Sequence, residues 1–201
     1  MTLIGGGLVG CELANDFANA GIEVTLLDVQ DLPLQSRIGL QQASGLRDAL
    51  QDIGVRWMGS AQVEQITAVQ TLAKSCFTGN PVASPTAVRL QIRTADGATT
   101  LLDADIAVAC LGVVPRTRLA TACGLNTQRG IVVNPQTLAA APGVFALGDC
   151  IEINGELSST IAPMTAQARC IASQISGKPE NYAPVRSPWI VKTPCFPIHI
   201  Q

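Results

Sequence analysis

Aromatic residues make up only 3% of this 201-residue chain, and charged residues only 14%. Apolar residues reach 47%, enough for a sizeable core. A chain so poor in charge points to surface that becomes covered, by a cofactor, a second domain or a missing piece. Basic residues are not in excess: 13 Lys and Arg against 15 Asp and Glu give a net charge of −2. Nucleic-acid binding therefore has no electrostatic support. No apolar run is long enough to cross a bilayer. The first residues carry no cationic segment and glycines interrupt their apolar stretch, so they do not read as a signal peptide. There is one histidine, His199, and no Cys-x-x-Cys pair among the seven cysteines at 11, 76, 110, 123, 150, 170 and 195. A zinc site or a Cys/His nucleophile is unsupported. Scattered thiols in odd number fit a reducing cytoplasm, which is the expected location.

What is present begins at once. Residues 1 to 14 read MTLIGGGLVGCELA: a short apolar run, then Gly5, Gly7 and Gly10 at G-x-G-x-x-G spacing, then a helix from Leu8 to Ala20. Leu13 and Phe17 lie four apart on that helix, and Gly21 stands where a C-terminal cap is wanted. IEVTLLD follows as a buried strand, which completes one βαβ unit. Leu40, Ala43, Leu46, Leu50 and Ile53 recur at steps of three and four, the pattern of a second amphipathic helix. GVRWM reads as another strand. AQVEQITAV, AVRLQIRT and TTLLDA alternate and are separated by Gly, Pro and Asn, as the strands of a small antiparallel excursion would be. ADIAVACLG reads as a fully buried strand of a parallel sheet.

Composition changes after Pro115. GIVVN and GVFALGDC are short strands whose apolar faces need partners. Residues 163 to 176 form a helix, with Pro163 in its first turn, an apolar stripe of Met164, Ala168, Ile171 and Ile175, and Gly177 closing it. Prolines at 179, 184, 188, 194 and 197 predict an extended tail. The fold expected is α/β: a Rossmann-like dinucleotide-binding domain with an antiparallel excursion over residues 1–115, then a second segment with its tail over residues 116–201.

The glycines divide the labour of a dinucleotide turn. Gly5 permits the tight turn, Gly7 lets a pyrophosphate approach the main chain, and Gly10 lets helix and strand pack closely. The free amides at Leu8 and Val9, in the first helical turn, would face the phosphates. Asp28 ends the next strand, where a carboxylate accepts from both ribose hydroxyls and repels a 2′-phosphate, so NADH is expected over NADPH. The nearest arginine, Arg37, reads as a solvated loop charge. Glu12 is expected in the first turn of the helix, either as a carboxylate favoured by the helix dipole or pointing toward nicotinamide. Gly112, after the strand of CLGVVPRT, either presents bare backbone to a cofactor or marks a Gly/Pro loop exit. Gly148 and Asp149 end an apolar strand, which suits polyol or ribose hydroxyls, or an Asx turn.

IGGGLVGCELA, ACLGVVPRT and GIVVN followed by GVFALGDC, in this order, resemble the pyridine nucleotide–disulfide oxidoreductase superfamily of FAD/NAD(P) flavoproteins, from residue 2 to about 177. CELANDFANAG and WIVKTPCFPI are most similar to the rubredoxin–NAD(+) reductases within it. The resemblance implies an NAD(P)-binding domain over residues 1–115, and the C-terminal part of an FAD-binding domain plus tail over residues 116–201. It implies that the N-terminal FAD segment is absent here. It also implies that Asp149 binds the ribityl chain, that Met164, Thr165 and Gln167 lie near the flavin ring, and that Glu12 and Gly112 lie near nicotinamide. The function so implied is an NADH-dependent reductase passing electrons through FAD to a small iron carrier such as rubredoxin or ferredoxin, with no side chain acting as acid or base. Two alternatives stand beside it. One is a nucleotide-binding fragment, inactive without the missing FAD segment. The other is a disulfide or peroxide reductase whose redox cysteine lies upstream.

Overall fold

The computed structural model describes residues 1–74, 81–157, 162–184 and 189–200. Cys76 and Pro188, both singled out in the sequence, lie outside them. The chain divides into two units, Met1–Gly112 with Trp189–Gln201, and Val113–Pro188.

The first unit opens with strand β1 (Thr2–Ile4), helix α1 (Leu8–Asn19), β2 (Thr25–Leu27), α2 (Leu40–Asp52) and β3 (Arg56–Met58). Then come β4 (Gln62–Lys74), β5 (Pro81–Arg93), β6 (Thr99–Ala104) and β7 (Ala107–Ala109). One sheet runs β3-β2-β1-β7, with every pairing parallel. Parallel neighbours need a long crossover, and α1 and α2 supply it. Helix α1 ends in two linked backbone bonds, Gly21 N–H to the Ala18 carbonyl (2.9 Å) and Ile22 N–H to the Phe17 carbonyl (3.0 Å). That closure requires a left-handed residue between them, and Gly21 takes it at φ +78°.

Alternation along the sheet sorts its side chains into two cores. Leu3 and Leu26 stand side by side and pack with Cys11, Ala14, Leu46 and Leu50 of the helices. Ile4 and Leu27 stand on the opposite face, against Leu90 and Ile92 of β5. The unit is thus a three-layer stack of helices, parallel sheet and the antiparallel sheet β4-β5-β6. Ile92 is fully buried. Ile92→Val should cost about 1 kcal/mol, read as a lower urea midpoint with an unchanged slope.

One expectation for this unit is corrected. The strand of ADIAVACLG is not fully buried: β7 is three residues long, Ala107 and Val108 are half-buried and Ala109 is exposed. It stands at the edge of the described sheet, paired only with β1, so burial reaches it from one side.

The second unit holds α3 (Arg118–Ala122), β8 (Ile131–Val132), β9 (Ala139–Ala141), β10 (Val144–Phe145), a 3-10 turn at Gly148–Cys150, β11 (Ile151–Ile153), β12 (Glu156–Leu157) and α4 (Ala162–Ile175). Strand β11 pairs parallel with β8 and antiparallel with β12, and β9 pairs with β10. Its core gathers Val133, Leu138, Ile151, Cys170 and Tyr182. The expected stripe of α4 is corrected here. Ala168 is exposed and Ile175 is 71% exposed, whereas Gln167 and Cys170 are buried, with Ala166 and Ile171 packed beside them. A polar residue can occupy the inner face because its amide is hydrogen-bonded.

The tail, grouped with the second segment in the sequence, forms a hairpin of β13 (Trp189–Val191) and β14 (Ile198–Ile200). Its Val191 and Ile198 are buried in the helix-side core of the first unit. Among the described residues no helix is long and apolar enough to cross a membrane.

Candidate dinucleotide-binding site

Strands β1, β2 and β7 end at Ile4, Leu27 and Ala109, and a cleft of about 460 Å³ opens at that edge. Gly5, Asp28 and Leu111 line it, with residues 61 to 66 forming its far wall. Ligands of open parallel sheets sit in this position, outside the carboxyl ends of the strands.

Each glycine of the turn meets a different environment. Gly5 has φ +110°, and a Cβ there would lie 2.5 Å from the Cys110 carbonyl oxygen. A Cβ on Gly10 would lie 1.8 Å from the Gly5 carbonyl oxygen, so helix and strand touch through bare backbone. A Cβ on Gly7 would meet nothing within 4 Å. The outer two glycines fill space that no side chain could share, and the middle one faces open volume. Gly7 is also the N-cap of α1 and offers no side-chain oxygen to the helix. The first intrahelical bond is from Cys11 N–H to the Gly7 carbonyl, at 3.0 Å. The amides of Leu8, Val9 and Gly10 precede it and lie where a helix has no carbonyl to offer. With the dipole they form an anion-binding end.

Asp28 is held against this turn. One carboxylate oxygen accepts the Gly6 N–H in a short hydrogen bond, and the other accepts the Gln30 N–H at 2.7 Å. The Gly6 carbonyl accepts from Leu34 N–H (3.0 Å) and from the Cys11 thiol (3.4 Å). Gly6 is therefore fixed on both sides. Trp57 lies beneath it, with ring carbons 2.6 and 2.8 Å from where a Gly6 Cβ would be. The indole N–H donates to the Asp31 carbonyl at 2.9 Å. Sequence reading passed over Gly6 and Trp57. The run of three consecutive glycines, of which Gly6 is the middle one, was the available signal for Gly6, and nothing in GVRWM marked Trp57.

The remaining residues of the first unit fall as follows. Glu12 is in the second turn of α1, not the first, and its carboxylate accepts the Lys192 N–H of the tail at 2.9 Å. Asn15, fully buried one turn on, accepts the Cys195 N–H at 3.3 Å. Gly112 is exposed with φ +77° and open space at its Cβ position. Arg37 is exposed in the loop after β2.

Burial, with Asp28 nearby, pushes the Cys11 thiol up to about 12, and burial raises Cys110 and Cys195 as well. These thiols stay protonated, which is unsuited to thiolate chemistry. A thiol whose folded pKa exceeds its unfolded value contributes stability below pH 9, and that contribution is lost as pH rises toward about 12. Between pH 8 and pH 10 the chain should lose roughly 1 kcal/mol through Cys11, and Cys11→Ala should remove that loss, as read by urea unfolding at both pH values.

In the second unit, Gly148 has φ +83° and donates its N–H to the Gln167 Oε1 at 2.8 Å. Asp149 is exposed and its carboxylate accepts no hydrogen bond among the described residues. Met164 is half-buried, its methyl 3.6 Å from where a Gly148 Cβ would be, and Thr165 is exposed. Gly148, Asp149, Met164 and Gln167 thus gather at one turn. Among the described residues no group of His, Cys, Asp and Glu could hold a metal ion.

Residues 1–170 match the pyridine nucleotide-disulphide oxidoreductase family. The chain is 30% identical over 200 residues to a rubredoxin-NAD(+) reductase of Acinetobacter baylyi, covering 100% of this chain and 47% of that protein. It is 33% identical over 204 residues to a nitric oxide reductase FlRd-NAD(+) reductase of Klebsiella pneumoniae, covering 98% and 48%. It thus spans about half the length of the curated relatives it matches. Among solved structures, it resembles the covalent putidaredoxin reductase–putidaredoxin complex with TM-score 0.72 and 27% identity, covering 96% of this chain and 43% of that one. A ferredoxin reductase from Rhodopseudomonas palustris gives TM-score 0.70 and 28% identity, covering 90% and 42%.

Proposed function

The chain belongs to the pyridine nucleotide-disulphide oxidoreductase family, and from that premise we propose that it binds NADH at the β1–α1 turn and serves an FAD-dependent reductase of a small iron carrier. The observation that carries the reading is the contrast among the three glycines: closed at Gly5 and Gly10, open at Gly7, in a turn whose first glycine lines the cleft. The pyrophosphate fits the space above Gly7 and the amides of Leu8, Val9 and Gly10. Asp28, already oriented by the Gly6 and Gln30 amides, keeps lone pairs for the ribose hydroxyls. Gly112, three residues beyond the end of β7 and with open space at its Cβ position, leaves room for the nicotinamide end. Glu12 is engaged by the tail and is assigned no contact with the cofactor.

The second unit carries the FAD side of the reading. An exposed carboxylate on a fixed turn fits a polyol, and Asp149 is such a group. When bound, FAD supplies the exchange between a two-electron hydride donor and a one-electron carrier. The chain's own residues bind and orient; none is assigned a proton. Similarity to rubredoxin-NAD(+) reductases and to putidaredoxin and ferredoxin reductases supports a small electron-transfer protein as the acceptor.

Nucleotide choice tests the site. NADH should bind at least about tenfold more tightly than NADPH, because a 2′-phosphate would meet the Asp28 carboxylate. Asp28→Ala should narrow that ratio, as measured by titration calorimetry. Equal affinities in the parent protein would refute this account of Asp28.

A further inference from the structure

The Gly148–Asp149 turn raises a question that its cofactor role does not answer: what holds so short a piece of chain in one conformation. The 3-10 segment is three residues long, follows Leu147 in extended backbone, and has no side-chain cap. Fixing a single turn costs several dihedrals for one backbone bond, so such a turn does not hold itself. Gly148 stands at φ +83°, in the left-handed region. Its N–H is buried, and a buried amide must find an acceptor.

The acceptor comes from α4. Gln167 is fully buried, and its Oε1 takes the Gly148 N–H at 2.8 Å. A glutamine with no exposed surface is unusual on a helix whose neighbouring inner positions are Ala166, Cys170 and Ile171. We propose that Gln167 is a positioning residue: it does not touch the flavin but pins Gly148, and so fixes the direction in which Asp149 presents its carboxylate. This rests on the reading of Asp149 as an FAD-side group. It separates two roles within one cluster, Asp149 to bind and Gln167 to aim. Met164 completes the seat by packing its methyl toward Gly148.

The test has two arms. In the chain without flavin, Gln167→Leu removes the acceptor and Gln167→Glu keeps one. The Gly148 amide should exchange with solvent at least tenfold faster in Gln167→Leu, with Leu138 and Ile151 unchanged, and should stay protected in Gln167→Glu. A scalar coupling across the hydrogen bond, from the Gly148 nitrogen to the Gln167 side-chain carbonyl carbon, is expected in the parent chain. It needs no variant, so the proposal stays testable if Gln167→Leu fails to fold. Absence of that coupling, or an unchanged Gly148 exchange rate in folded Gln167→Leu, overturns the proposal.

The second arm uses the flavin-loaded protein and reads FAD dissociation by flavin fluorescence. Asp149→Asn and Gln167→Leu should both weaken FAD by at least tenfold, and Gln167→Glu should restore most of the affinity. If Asp149→Asn weakens FAD and Gln167→Leu does not, Gln167 has no positioning role while the reading of Asp149 stands. If Asp149→Asn leaves FAD affinity unchanged, the reading of the turn as an FAD site fails, and the proposal with it.

Discussion

Gly7→Val should weaken NADH binding by about a hundredfold or more while leaving the fold in place. A Cβ at this position meets nothing within 4 Å, so the protein itself has room for the new side chain. The backbone there is at φ −77° and ψ −169°, a conformation valine adopts readily. The structural cost is confined to a poorer helix N-cap, about 1 kcal/mol. The volume filled is that of the pyrophosphate, and the branched side chain shields the Leu8 and Val9 amides that would receive it. NADH fluorescence titration reads the loss, and thermal melting checks the fold. Near-parent affinity in a folded variant would show that the turn is structural and the nucleotide lies elsewhere.

The same motif predicts the reverse outcome three residues on. Gly10→Ala lies inside helix α1, where replacing glycine by alanine ordinarily stabilises by about 1 kcal/mol. Here the new methyl would stand 1.8 Å from the Gly5 carbonyl oxygen. Both groups belong to backbone, so relief requires α1 to move away from β1. Helix α1 also packs Cys11 and Ala14 against Leu3 and Leu26, and that interface would open with it. The expected cost is about 3 kcal/mol, at the upper end of overpacking, a fall in Tm of roughly 6–12 °C for a chain of this size. A neutral or raised Tm would mean that helix and strand do not approach through bare backbone. The two variants together separate the roles of the glycines: one loses ligand and keeps stability, the other loses stability first.

The βαβ unit was legible because its signals are local and agree. Leu13 and Phe17 lie four apart on α1, Gly21 stops it, and Val24, Leu26 and Leu27 are buried in the segment IEVTLLD that follows; on α2 Ala43, Leu46 and Leu50 are buried as their spacing predicts, whereas Leu40 is exposed and Ile53 caps the helix end. The roles of Gly5, Gly7 and Gly10 were readable for a similar reason, since each follows from the absence of a side chain at a fixed offset from the strand. What the sequence concealed depends on partners distant along the chain. Nothing in the pattern of α4 marks Gln167 as buried, and the N–H that its Oε1 accepts belongs to Gly148, nineteen positions earlier. The buried face of α4 runs through Ala166, Gln167, Cys170 and Ile171 and leaves Ala168 and Ile175 outside it. Glu12 and Asn15 were equally opaque: their partners are the Lys192 and Cys195 amides, 180 residues away. The anchoring of Asp28 by the Gly6 amide was hidden as well, because GGG marks a loop and does not show which amide turns toward the next strand.

The central claim is that the amides at the start of α1 receive the pyrophosphate of NADH. The most direct measurement is a titration of the ¹⁵N-labelled chain with NADH, followed amide by amide. Saturable shifts concentrated at residues 6 to 10 and at Asp28, and lost in Gly7→Val, are the predicted result. Saturable binding that leaves those amides unmoved, or no saturable binding in the folded chain, would contradict it.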